Sequence, residues 1–289
     1  MLHAAPSAHA AWATLQYSSA TLLLTLAARA SAHLRLPDLH WYDALASRVA
    51  LSCPFALDPM AQDEGLVRGI ILRSQIFDRH VLAASQQAAP LQIVTLGAGL
   101  CTRRSRLAAQ LPADGLGWLN IDLPAVMALR EHCIPAHLGG ENRVGSLDDD
   151  GWLAQLDLPA GSRVLVLLEG VAPYVPANMV VTLLHALVDA CLARQWHGEI
   201  ILDYLHPAML SAPQQAGGMD LPVQGGFVDA QAMIHGHPGI RLIREVYPFA
   251  EFSPGHQRFA DAFQQQHQRP PYAIACLSLG AVEPCDGLV

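Results

Sequence analysis

The residues best placed to do chemistry are two glycines and an aspartate, set a fixed distance apart. The stretch Leu91-Gln-Ile-Val-Thr-Leu-Gly-Ala-Gly-Leu-Cys-Thr-Arg103 reads as an apolar strand ending in a turn of small residues. Gly97, Ala98 and Gly99 let a ligand come close to the backbone at the carboxyl edge of a sheet. Twenty-five residues after Gly97 a second apolar run ends at Asp122. A carboxylate there accepts hydrogen bonds from both hydroxyls of a ribose, which fits any adenosine cofactor. A dinucleotide site wants a third glycine where Thr102 stands, so that the helix end can hold a pyrophosphate. S-adenosylmethionine has no phosphate, so the pattern favours a methyl donor over a nicotinamide. An ordinary turn of an α/β protein is the reading without chemistry.

Other chemistries find less support. All 17 basic residues are arginine, which excludes a pyridoxal-phosphate Schiff base and a Walker-type phosphate loop. No GxSxG elbow is present for a hydrolase. His235 and His237 form an HxH, but without HExxH or zinc-type Cys/His spacing no metal is expected. The six cysteines, Cys53, Cys101, Cys133, Cys191, Cys276 and Cys285, form no CxxC and read as reduced thiols of a cytoplasmic protein. Cys101 has no obvious base beside it and reads as structural. With a net charge of -8 and no dense arginine run beyond Arg103, Arg104 and Arg106, nucleic acid is not an expected partner. The apolar stretch 21–32 lacks the positive start of a signal peptide, and no run approaches a membrane span.

Composition indicates what positions these residues. Hydrophobic residues make up 52% of the 289 and charged ones 15%, a balance that favours a large buried sheet. Helical spacing covers a run through Leu22, Leu26 and Arg29 that Ser18-Ser19 can cap, then residues 43–51 and 65–84. After a linker at 83–90, short apolar runs at Leu91–Leu96, 118–121, Arg163–Leu168, 199–204, Ile240–Val246 and Tyr272–Leu279 alternate with helical stretches such as 123–133 and Ala177–Arg194. That alternation predicts an α/β fold, a mostly parallel sheet with helices on both faces. Residues 1–85 are expected to form a helical cap and 86–289 the core, with a substrate lid inserted around 205–238. The stretch 207–226 is rich in Gly, Pro and Gln.

In the order in which they occur, these motifs resemble the leucine carboxyl methyltransferase family and, within it, bacterial O-methyltransferases of the tetracenomycin type. The family's LGAGLDTR is matched by Leu96-Gly-Ala-Gly-Leu-Cys-Thr-Arg103, its DLP and basic residue by Asp122-Leu123-Pro124 and Arg130, and its EGV–Tyr motif by Glu169-Gly170-Val171 and Tyr174. Upstream, Thr21-Leu-Leu-Leu-Thr25 with Arg29-Ala30 is similar to the family's TALxT…RA helix, and Arg73 to Asp78 to its arginine and aspartate segment. The resemblance implies a Rossmann-like class I methyltransferase with a seven-stranded sheet and an amino-terminal helical cap. S-adenosylmethionine is then the cofactor. Arg73 is implied to hold its carboxylate, Gly97, Ala98 and Gly99 to line it, Asp122 and Leu123 to hold the ribose, and Glu169 to face the amino group. Ser146-Leu147 stands where the family has Asp-Leu beside the adenine. Cys101 also departs from the pattern, replacing an aspartate.

Methyl transfer is an in-line displacement that depends mainly on alignment and exclusion of water. Tyr174 is implied to lie over the reaction centre. His206 and Tyr204, at the end of the fifth strand, and His40 are the candidate bases for a hydroxyl acceptor. The aromatic stretch from Pro37 to Tyr42 suits a lid. The expected acceptor is an oxygen of a small metabolite, a hydroxyl, phenol or carboxylate of secondary metabolism, and a homodimer is the candidate assembly. The alternatives are a protein C-terminal carboxyl methyltransferase and a nucleotide- or donor-binding protein without turnover.

Overall fold

A computed structural model describes residues 12, 19–87, 89–149, 151–211, 214–216 and 219–280. Helices α1 (Ser19–Arg35), α2 (Ala44–Ser52) and α3 (Glu64–Ser85) precede the first strand. There follow β1 (Leu91–Leu96), α4 (Arg103–Leu107), β2 (Leu116–Asp122), α5 (Pro124–Cys133), α6 (Ala136–Gly139), β3 (Glu141–Val144), α7 (Gly151–Ala154) and β4 (Arg163–Leu168). The rest comprises α8 (Ala177–Arg194), β5 (His197–Leu205), a β6–β7 hairpin (Gln214–Ala216, Met219–Leu221), α9 (Ala230–Ile234), β8 (Ile240–Val246), α10 (Pro254–His267) and β9 (Tyr272–Leu279). Ser18, expected as a cap, lies outside the described residues.

Seven strands form one sheet in the order β3-β2-β1-β4-β5-β9-β8. Neighbours from β3 to β5 are parallel, and β9 runs antiparallel to both β5 and β8. The central strands are apolar throughout because both faces are covered, and every residue of β4 and β9 is buried. On one face Leu96, Ile121, Val166 and Leu202 pack with Leu184, Leu187 and Val188 of α8. On the other, Ile93, Leu165, Leu167 and Ile201 pack with Phe77, Val81 and Ala84 of α3. Thus α3, within the stretch expected as a cap, lies on the sheet itself. By length and composition α8 is apolar enough to cross a membrane, but Val180, Leu183 and Leu187 are its contribution to the sheet core.

The six expected strands are present, Leu91–Leu96, Arg163–Leu168, Ile240–Val246 and Tyr272–Leu279 at the expected limits. The short β3, with only exposed or half-buried positions, carries no apolar run and gave no signal. Helix α10 was equally silent, since Phe263 is its one buried residue. The stretch 207–226 holds a 3-10 turn, Pro207–Ser211, and the hairpin.

Helices α1 and α2 are tied to the sheet by charge as well as by packing. Asp43 caps α2 by accepting from the Ala46 amide, and its other oxygen accepts from the Thr102 hydroxyl and from Arg106 Nη1 at 2.8 Å. The Arg106 guanidinium lies 4.1 Å over the Trp41 ring, so Trp41 of the expected lid is a core residue. Asp43→Ala removes a helix cap and one partner of a buried cation, and should lower unfolding free energy by about 3 kcal/mol in urea titration. Asp38→Ala, which breaks the exposed pair with Arg68, should leave the urea midpoint unchanged.

Candidate functional site

The site lies at the carboxyl ends of β1, β2, β4 and β5. Gly97 and Gly99 take φ values of +63° and +49°, the left-handed region that lets the chain leave β1 and turn at once. A Cβ on Gly97 would lie 2.4 Å from Val171, so the turn and the loop after β4 touch through that missing side chain. Asp122, at the end of β2, accepts from the Gly99 and Leu123 amides, each at 2.7 Å. Burial pushes its carboxyl above the ordinary range, and the two amides work against that. Arg130 of α5 secures the turn from below, donating to the Gly99 and Cys101 carbonyls at 3.0 and 2.8 Å. Burial pulls that guanidinium down to about 10.

At the end of β4, Glu169 is clamped. Its Oε1 accepts from Ser74 Oγ at 2.8 Å and from Arg73 Nε at 3.2 Å, and its Oε2 from Arg103 Nη2. Burial disfavours its charge, but Arg103 and Arg73 hold the carboxyl far below the usual range. Arg103, 1% exposed, also donates to Asp78 at 2.6 Å. Arg73 reaches on to Asp203 of β5 at 3.3 Å, and Asp203 further accepts from the Gly170 amide and the Tyr272 hydroxyl. Burial opposes the charge of Arg73, and Asp203 and Glu169 keep it protonated.

The structure therefore brings Arg73, Gly97, Ala98, Gly99, Asp122, Leu123 and Glu169 to one edge. Tyr174 ends a 3-10 turn, Ala172–Tyr174, directly after Glu169-Gly170-Val171. Burial raises its phenol, and Arg73 works in the opposite sense. Ser146 follows β3 with its hydroxyl on Asp148, and Leu147 packs against the core. Two expected residues point elsewhere. Tyr204 follows Asp203 on β5, so it faces the opposite side of the sheet, where its hydroxyl donates to Glu245 and its ring meets Phe227 edge-on. The His206 ring packs on Phe263 and His267, with Nδ1 accepting from the Ala208 amide. His40 is an exposed residue with φ of +48°.

Sequence reasoning passed over Asp203, Tyr272 and the function of Arg29. Asp203 was legible as the acid that follows the apolar run Ile200-Ile201-Leu202. Arg29 is 6% exposed, and among the described residues its guanidinium donates to the Thr25 carbonyl four residues back. Among the described residues no carboxylate lies within ion-pair distance of it. It shares a helix face with Leu22, which approaches Gly99, and its charge helps to depress Arg130. Among the described residues it is thus a buried guanidinium without an acid, close to the glycine turn.

A sequence model of the leucine carboxyl methyltransferase family matches residues 23–188, more than half of the chain. The chain is 35% identical over 118 residues to the S-adenosyl-L-methionine-dependent methyltransferase dpfgK of Gibberella zeae. That match spans 39% of this chain and 39% of the fungal protein, well under two thirds of its length. Among solved structures, the fold is similar to that of a protein of Thermobifida fusca YX described as a methyltransferase. The TM-score is 0.51 at 14% identity, over 89% of this chain and 94% of the other.

Because Glu169 is held below its ordinary value of 4.5, its contribution to stability is present above that pH and is lost as pH falls toward the folded-state value. The difference in unfolding free energy between the wild type and Glu169→Gln should be full at pH 7 and shrink steadily between pH 4.5 and 3. A difference that stays constant over that range would place the stabilisation elsewhere.

Proposed function

The chain belongs to the leucine carboxyl methyltransferase family, and from that premise we propose that it is an S-adenosylmethionine-dependent methyltransferase acting on an oxygen of a small metabolite. The reading follows the resemblance of its motifs to the family's bacterial tetracenomycin-type branch, and takes the acceptor to be a phenol, hydroxyl or carboxylate. The observation that supports this reading is the contact between the hairpin and the amino-terminal helices. Leu221, at the end of the β6–β7 hairpin, packs against the cluster of Leu24, Ala28, Trp41 and Val67 from the amino-terminal helices. A roof made of hairpin and helices suits a compact acceptor better than a protein tail. In this reading the described amino-terminal helices supply part of that roof and the insertion after β5 the rest.

The residues present fit the donor. Arg29 is a buried cation with no counter-charge among the described residues, and the donor carries a carboxylate. Asp122 closes β2 beside a turn with no side chain in the way, and its oxygens keep lone pairs for ribose hydroxyls. Glu169 offers a fixed negative charge to an ammonium group, Arg73 adds a second cation near it, and Ser146 and Leu147 flank the adenine side. Bound there, S-adenosylmethionine supplies an electrophilic methyl group on a sulfonium. The chain's own part is to hold, align and keep out water. Tyr174 is the group on the acceptor side. Tyr204 and His206 take no part, being committed to Glu245 and to α10.

Labelled methyl transfer should reach low-mass phenols or carboxylic acids and leave a peptide ending in leucine unmodified. Transfer to the peptide alone would favour the protein carboxyl reading. Asp122→Ala should weaken S-adenosylhomocysteine binding by about 1.5–3 kcal/mol in calorimetry. Arg29→Ala should cost about tenfold in affinity for S-adenosylhomocysteine and leave adenosine, which lacks the carboxylate, unaffected. Equal losses for both ligands would make Arg29 a packing residue.

A further inference from the structure

One short segment touches the loops after β4 and β5 at once. Residues 224–227 leave the hairpin and run between those loops as bare backbone. The Gln224 and Gly225 amides both donate to the Pro173 carbonyl, at 2.8 and 3.2 Å, and the Phe227 amide donates to the Leu205 carbonyl at 2.9 Å. Gly225 is buried. A Cβ on it would stand 2.1 Å from the Val175 carbonyl oxygen and 2.9 Å from that of Ala172. One on Gly226 would stand 2.7 Å from the Leu205 carbonyl. These obstacles are main-chain atoms, which cannot swing aside as a side chain does. The carbonyls of residues 172, 173 and 175 bracket Tyr174 on both sides, so the segment grips the turn that presents that side chain.

The far end of the segment is anchored as well. Phe227 is 7% exposed and its ring meets that of Tyr204 at 87°. Tyr204 is in turn fixed by Glu245, which also accepts from the Ala230 amide at 3.0 Å. The turn carrying Tyr174 is thus held from the sheet's opposite face, by residues that do not face the cleft themselves.

We propose that the Gln224-Gly225-Gly226-Phe227 segment is the positioning element for Tyr174, setting where the acceptor-side phenol stands relative to Glu169 and Arg73. The proposal rests on the reading that Tyr174 is the acceptor-side group. Its consequence is that the insertion between β5 and β8 does more than roof the cleft: its return strand sets the depth of the acceptor site. Gly225 admits no side chain because the two backbones must lie in direct contact.

The first readouts need no acceptor. In protein labelled with 13Cζ-tyrosine, Tyr174→Phe identifies the Tyr174 signal, and its titration gives the phenol's pKa. Gly225→Ala should move that titration down toward the ordinary value of 10 as the turn is pushed out of its buried position. It should also raise amide exchange at 171–177 about tenfold or more, while β4 itself stays protected. S-adenosylhomocysteine affinity should stay within about threefold, because the donor-side contacts are untouched. Gln224→Pro, which deletes one donor from an exposed residue, should give the same changes in smaller degree and covers the case in which the alanine variant does not fold. An unchanged Tyr174 titration and unchanged exchange in the folded variants would overturn the positioning role. A shifted Tyr174 with methylation intact in Tyr174→Phe would instead keep the latch and remove Tyr174 from the acceptor site.

Discussion

Glu169 is a carboxylate taken almost wholly out of water, and much of the molecule is arranged to keep it charged. A lone buried carboxylate costs several kcal/mol after relaxation, so each oxygen must find a cation or a hydroxyl. Arg73 and Ser74 come from α3 and Arg103 from α4. Those arginines are themselves buried and need more than one acid. Arg103 takes Asp78, Arg73 takes Asp203, and Arg106, sharing Asp78, reaches Asp43 at the start of α2. One charge at the end of β4 is thereby linked, pair by pair, to helices that precede the sheet in sequence. Removing the amino-terminal helices would strand Arg106, and through Asp78 loosen Arg103 and the glutamate itself.

Sequence periodicity reports burial, and the fold was legible wherever burial was continuous. The strands β1, β4 and β9 have the limits expected from their apolar runs, and α8 runs from Ala177 to Arg194 as expected; β8, with only Ile240 buried, also has the expected limits. Two other elements that bury little left little trace. β3 pairs only along the edge of the sheet, and α10 covers its end of the sheet through Phe263. In the site, the glycine turn and Asp122 were visible because few other functions need small residues at that spacing. The resemblance added Arg73 and Glu169, neither of which has a local pattern of its own.

Harder to foresee was the direction of side chains near the end of β5. Asp203 and Tyr204 are consecutive, so one enters the charge network and the other the opposite core. Choosing Tyr204 as a base ignored this alternation, which assigns the cleft to Asp203 once Ile201 is placed on the α3 face and Leu202 on the other. Arg29 was hidden for a different reason. A helix through Leu22, Leu26 and Arg29 looks like an apolar stripe ending in a charge that reaches solvent. Only the contacts in space show that the charge stays inside, with no acid beside it among the described residues.

The electrostatics of the cleft suit the proposed transfer. Asp43, Asp78, Asp122, Glu169 and Asp203 stand among Arg29, Arg73, Arg103, Arg106 and Arg130, so formal charge cancels across the site. A balanced but rigid set of ions presents fixed dipoles to a ligand without a strong net field. When a cationic methyl donor meets an anionic oxygen, both charges disappear as the bond forms, and a dry cleft favours that loss more than water does. The proposed reaction would therefore gain from a roof over the site and would ask little further ionic help from the acceptor side. In that reading Tyr174 and main-chain contacts form the acceptor wall, opposite a donor wall dense with arginines.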